Sequence, residues 1–120
     1  MKKILVVEDE QDIMEVMTAK LGMDGYEVAG AFNGLEALEK IKQDKPDLIV
    51  LDIMLPEMDG YSVNLKLKEN KETENIPVII MTGRGNLKEI LKINEKMAIA
   101  AYFEKPFPLK LLSEKIKELI

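Results

Sequence analysis

The chain has 120 residues, with 17 Lys+Arg against 22 Asp+Glu, a formal charge of −5, and neither His nor Cys. These counts exclude a disulfide framework, a thiolate metal site, a Ser–His–Asp triad and an imidazole base near pH 7, and the acidic balance argues against a nucleic-acid binder. Chemistry must rest on carboxylates, Lys, hydroxyls and backbone, and the length suits a single domain over residues 1–120.

Met1-Lys2-Lys3 precedes only four apolar residues before Glu8, too short a run for a signal peptide or a membrane span. The expectation is a soluble cytoplasmic protein without a membrane partner. Ile4-Leu5-Val6-Val7 reads as a strand, closed by Glu8-Asp9-Glu10. Ile13, Val16, Met17 and Leu21 follow at helical spacing until Gly22 and Gly25. Glu27 to Ala31 reads as a short strand. Asn33 can cap a helix carrying Leu35, Leu38 and Ile41, which stops before Asp44-Lys45-Pro46. Leu48-Ile49-Val50-Leu51 is apolar on both faces, as central parallel strands are, and Val78-Ile79-Ile80-Met81 repeats that signature.

Between them, Tyr61, Val63, Leu65 and Leu67 alternate with polar residues, which locally is a strand pattern. Two parallel strands need a crossover between them, however, so this segment is expected to be a helix, with Asp59-Gly60 as its start signal. A further helix is expected on Leu87, Ile90, Leu91 and Met97, a strand near Ala100 to Phe103, and a last helix with Leu109, Leu112, Ile116 and Leu119 on one face. Met17 and Met81 fit core positions. Five strands alternating with five helices imply an α/β fold, a doubly wound parallel sheet.

In such a sheet, ligands bind outside the carboxyl ends of the strands. Just past those ends lie Glu8 and Asp9, Asp52, Thr82 and Lys105, while the second strand ends in Ala31-Phe32 with nothing ionisable, as expected of an edge. Three carboxylates gathered together repel one another unless a cation sits among them, and Mg²⁺ takes oxygen ligands of this kind. A carboxylate held beside such an ion and Lys105 could act as nucleophile toward a phosphoryl group. Any one of these residues alone is ordinary loop chemistry; their joint placement is what points to a site.

These residues also carry a family resemblance. Ile4-Leu5-Val6-Val7-Glu8-Asp9-Glu10, Leu51-Asp52-Ile53-Met54-Leu55-Pro56-Glu57-Met58-Asp59-Gly60, Met81-Thr82-Gly83 and Tyr102-Phe103-Glu104-Lys105-Pro106-Phe107 resemble, in this order, the receiver domain of bacterial two-component response regulators, across essentially the whole chain. The resemblance implies the flavodoxin-like strand order 2-1-3-4-5. It implies that Asp52 is the phosphoacceptor, taking its phosphoryl group from a phosphohistidine on a histidine kinase or phosphotransfer protein. Mg²⁺ (or Mn²⁺) would be bound by Asp9, Asp52 and the backbone carbonyl of Met54, with Glu8 acting largely through a metal-bound water. Lys105 would contact the phosphoryl group, and the Lys105–Pro106 peptide would be cis.

Thr82 would swing toward the phosphoryl group and Tyr102 would follow from an outward to an inward rotamer, reshaping the face formed by the fourth helix, fifth strand and fifth helix. The output would pass to a downstream protein target or a fused effector, with a phosphorylation-dependent dimer among the associations the family allows. Gly83 stands where Ala is usual and loosens the loop after Thr82; Arg84, the lone arginine, should overhang the site. Ala98-Ile99-Ala100-Ala101 replaces the family's common Gly-Ala-Asp-Asp, which argues against a charged dimer interface and leaves either partner docking or internal packing. Two other readings share the architecture. A flavin-type cofactor binder would need a glycine- and hydroxyl-rich first loop in place of Glu8-Asp9-Glu10, and an aspartyl phosphatase would need an acid at position 54, which is Met54.

Overall fold

The computed structural model describes residues 1–83 and 99–120. The helix expected on Leu87 to Met97, Arg84 and Ala98 lie outside them. The elements in chain order are β1 (Lys3–Val7), α1 (Gln11–Met23), β2 (Glu27–Ala31), α2 (Gly34–Gln43), β3 (Leu48–Asp52), α3 (Gly60–Glu69), β4 (Val78–Thr82), β5 (Ala101–Glu104) and the C-terminal helix, α4 (Leu109–Leu119). The five strands form one parallel sheet in the order β2-β1-β3-β4-β5. This is the flavodoxin-like arrangement, and it puts the reversal of strand order between β1 and β3.

Every residue of β3 and β4 is buried, which accounts for their unbroken apolar runs, whereas the edge strands β2 and β5 alternate in exposure. Strand parity sorts the core into two layers. Leu5, Val7, Ile49, Leu51, Val78 and Ile80 face Ala37 and Ile41 of α2 and Val63 and Leu67 of α3. Ile4, Val6, Leu48, Val50, Ile79 and Met81 face Met14, Met17 and Leu21 of α1 and Leu112 and Ile116 of α4. Each fully buried aliphatic side chain in these layers contributes about 1.5–3 kcal/mol relative to exposure.

The segment with the strand-like pattern is helical. Within α3, Val63 and Leu67 are buried four residues apart, and Leu65, which supplied the alternation, is exposed. Asp59 caps this helix, its Oδ1 accepting from the Ser62 N–H at 2.8 Å. Asn33 does the same for α2, accepting from the Glu36 N–H at 2.8 Å, while Glu36 in turn accepts from the Phe32 N–H at 3.1 Å. The fifth strand runs one residue later than expected. Beside it, Ile99 packs on the first core layer and Ala101 on the second, so these two members of the Ala-Ile-Ala-Ala segment serve internal packing.

Candidate functional site

The site forms because parallel register places strand ends side by side. Val7 pairs with Leu51, so Glu8 and Asp52 leave adjacent strands next to each other; Asp52 pairs with Met81, and Thr82 with Glu104. The Lys105 N–H then donates to the Thr82 carbonyl at 2.6 Å, holding the chain after β5 against the same rim. Counting by twos from Val6, Val50 and Phe103, the parity of Glu8, Asp52 and Lys105 is that of the layer facing α1 and α4.

These three side chains meet. The Lys105 ammonium donates to Glu8 Oε1 at 2.5 Å and to Asp52 Oδ2 at 2.7 Å. Glu8 is fully buried and Asp52 is 4% exposed. Glu8, Asp9 and Asp52 each offer a carboxylate oxygen to one cluster, all within 4.8 Å of one another. Burial raises the pKa of Glu8 and the nearby Asp52 charge adds to that, while the hydrogen bonds from Lys105 and from the Glu10 N–H oppose it; the net direction is upward. For Lys105 burial pulls downward, but hydrogen bonds to Asp52 and Glu8 and their charges outweigh it, and its pKa is raised. When ionised, three carboxylates against one ammonium leave two negative charges uncompensated at a rim where Glu8 and Asp52 are buried and Asp9 is exposed. An all-oxygen donor set with that excess suits a hard dication.

Two backbone donors complete the geometry. The Met54 N–H donates to Asp52 Oδ1 at 2.9 Å, and the Glu10 N–H to Glu8 Oε2 at 3.1 Å. Sequence reasoning singles out Met54 for its carbonyl only and passes over both amides, since a backbone N–H carries no residue-type signal. Asp52 therefore has both oxygens engaged, one by an amide and one by an ammonium, which fixes the plane of its carboxylate.

Thr82 ends β4 at the same rim but is not joined to the acids: its buried hydroxyl donates to the Gly83 carbonyl at 3.2 Å. Thr82 shares its sheet face with Ile80, and Ile80 pairs with Tyr102, so Thr82 and Tyr102 lie on the face opposite to Glu8, Asp52 and Lys105. Tyr102 is 40% exposed. The Lys105–Pro106 peptide is cis. Phe107, just beyond, stacks on Phe103 with ring centroids 5.0 Å apart. Among the described residues no helix is long and apolar enough to cross a membrane.

Comparison with known proteins agrees with this architecture. The family model of the response regulator receiver domain matches residues 4–117. The chain is 39% identical over 119 residues to the probable transcriptional regulator ycf27 of Cyanophora paradoxa, covering 99% of this chain and 48% of that protein. It is 33% identical over 119 residues to sporulation initiation phosphotransferase F of Bacillus subtilis (strain 168), covering 99% of this chain and 94% of that one. A crystal structure of a response regulator receiver domain protein from Clostridium thermocellum superimposes with a TM-score of 0.89 at 31% identity, covering 100% of this chain and 94% of the other. The chain thus spans about half the length of the first of these relatives and nearly all of the second.

Proposed function

The chain belongs to the response regulator receiver domain family, whose general function is phosphorylation-dependent signalling, and we propose accordingly that its residues 1–120 form one receiver domain with Asp52 as the phosphoacceptor. The observation that carries this reading is the single ammonium of Lys105 bonded to both Glu8 and Asp52, with Asp9 in the same oxygen cluster.

In the proposed reaction an Asp52 oxygen attacks the phosphorus of a phosphohistidine held by a histidine kinase or phosphotransfer protein. The N–P bond of the donor breaks as the O–P bond of an acyl phosphate forms. Residues 1–120 contain no His, so the donor imidazole comes from outside this domain. The Met54 N–H keeps the Asp52 carboxylate oriented, and the Lys105 ammonium passes from the carboxylate to the oxygens of the incoming phosphoryl group. Glu8, Asp9, Asp52 and the Met54 carbonyl would hold Mg²⁺ or Mn²⁺, which when bound supplies counter-charge for the phosphoryl oxygens. Slow loss of the phosphoryl group to water resets the domain, which is a switch in the cytoplasm and not a turnover enzyme.

The readout uses the other sheet face. Thr82 moves toward the phosphoryl group, Tyr102 follows inward, and the surface carrying β5 and α4 changes shape, a local charge event biasing a two-state element. Gly83 gives the loop after Thr82 freedom to move, and Arg84 screens the phosphoryl group from water. The altered surface controls a protein target or a fused effector, directly or through a phosphorylation-dependent dimer; similarity to a relative about twice this chain's length and to one of about its own length supports the first two outputs. Incubation with acetyl phosphate and Mg²⁺ followed by intact mass measurement tests the reading. The expected result is a gain of one phosphoryl group, absent in Asp52→Ala and after chelation of the metal; unchanged mass with hydrolysis suppressed by short incubation would refute it.

A further inference from the structure

The loop that carries Met54 past Asp52, residues 53–59, is a closed excursion. The Ile53 N–H donates to the Met81 carbonyl at 3.0 Å, the Gly60 N–H returns to the Ile53 carbonyl at 2.9 Å, and the Met58 N–H donates to the Pro56 carbonyl at 2.7 Å. Glu57 sits at φ +69°, a left-handed conformation that a residue with a side chain keeps only when its surroundings hold it there. What presses on the loop from outside is α2. A Cβ added to Gly34, the first residue of that helix, would stand 2.2 Å from the Met58 carbonyl oxygen, 2.8 Å from Met58 Cβ and 2.8 Å from Val63 Cγ2. The helix cannot easily retreat, because Asn33 caps it and its Ala37 and Ile41 are seated in the core. At the far end of the loop, Gly60 meets the Asp52 backbone as closely, a Cβ there lying 2.5 Å from the Asp52 carbonyl oxygen.

We propose that Gly34 is a positioning residue for the phosphoacceptor site: bare backbone at the start of α2 seats the Met58 carbonyl, and the loop so seated sets where the Met54 amide and carbonyl stand relative to Asp52. The proposal rests on the reading of Asp52 and its metal given above. No local signal in the sequence discloses this contact, since Gly34 lies 24 positions before Met58 in the chain and reads there as an ordinary residue after a helix cap. A single added methyl has one backbone oxygen in its way, and a backbone oxygen moves only if the loop does.

The test is Gly34→Ala compared with Gly22→Ala, which adds the same methyl on α1 where nothing lies within 4 Å. Mg²⁺ affinity is read without phosphodonor, by calorimetric titration with MgCl₂, and the Met54 amide is followed by ¹⁵N-edited NMR. Phosphorylation by acetyl phosphate is measured in parallel across Mg²⁺ concentrations. Gly34→Ala should weaken Mg²⁺ binding about tenfold, as loss of outer-shell support commonly does. It should also shift the Met54 amide resonance and be restored toward wild-type phosphorylation by excess Mg²⁺, while Gly22→Ala matches wild type. Should Gly34→Ala alone fail to fold, Gly34→Ala/Val63→Ala removes the clash with Val63 Cγ2 and leaves those with the Met58 carbonyl and Cβ. Unchanged Mg²⁺ affinity and an unmoved Met54 amide in the folded variant would overturn the proposal. A wild-type chain that gains no phosphoryl group would instead fail the underlying reading, so the two failures are distinct.

Discussion

The two faces of the sheet are built differently at the carboxyl rim. On the face toward α1 and α4, Glu8, Asp52 and Lys105 form a short, mostly buried chain of ion pairs at 2.5 and 2.7 Å. On the opposite face, the Thr82 hydroxyl makes one 3.2 Å bond, to its neighbour's carbonyl, and Tyr102 is partly in solvent. Both sets come from neighbouring strands of one sheet and differ in parity. A two-residue period thus separates an ion-paired chemical centre from side chains with few polar ties, on the two faces of a single sheet.

Damage to the bonded face should be the most costly. Lys105→Ala leaves Glu8 buried with no cation beside it, and breaking a buried pair from one side costs about 3–5 kcal/mol. Because the Lys105 side chain is 23% exposed, a loss of about 3 kcal/mol is expected, measured by urea denaturation of the metal-free protein. Mg²⁺ should recover part of it, since cation binding to the native state stabilises by mass action.

The pH dependence bears on the same face. The pKa of Glu8 is raised above its ordinary 4.5, chiefly by burial, so the folded state holds this proton more tightly than the unfolded chain does. The stability this confers is full below about pH 4.5 and is lost as pH rises through the raised value. Glu8→Gln should therefore flatten the fall in metal-free stability over that window while weakening Mg²⁺ binding. A slope identical to wild type would mean that Glu8 is not the group responsible.

A smaller effect is expected lower on the same face, where Ser113 of α4 donates to Asp24 Oδ2 at the end of α1 at 2.6 Å. That hydrogen bond, with help from Lys20, holds the Asp24 carboxyl below its ordinary 3.8. Its contribution is present above about pH 3.8 and disappears as pH falls through the lowered value. Ser113→Ala should cost about 1 kcal/mol at neutral pH, with the deficit shrinking under acid. Smallest of all is Tyr102→Phe on the opposite face, expected to change stability by less than about 0.5 kcal/mol and to leave phosphorylation intact. Its effect should be confined to the tyrosine spectral change on phosphorylation, which it abolishes; a persisting change would assign the moving ring to Tyr26 or Tyr61.

The sheet and its acidic rim are legible in the order of residues alone. β3 and β4 are buried on both faces, so their apolar runs admit one reading, and the acids that close β1 and β3 stand out because those runs end abruptly. The α3 segment is legible only through topology: Leu65 breaks the helical period by being apolar and exposed. What escapes the sequence is the part made of backbone and of distant approach. The Met54 and Glu10 amides have no residue signature. The double engagement of Lys105 spans 97 positions to Glu8 and 53 to Asp52 and follows only from register, and the seat of Gly34 on Met58 follows only from packing.

Above all, this pocket should make Asp52 the one residue that becomes an acyl phosphate. Borohydride reduces an acyl phosphate to the corresponding alcohol and leaves free carboxylates untouched, so the chain treated with acetyl phosphate and Mg²⁺ can be reduced, digested and mapped by tandem mass spectrometry. Homoserine is expected at position 52, with Glu8, Asp9 and Asp59 unmodified. Reduction at any of those three, or an intact Asp52 in a chain that has gained a phosphoryl group, would contradict the assignment.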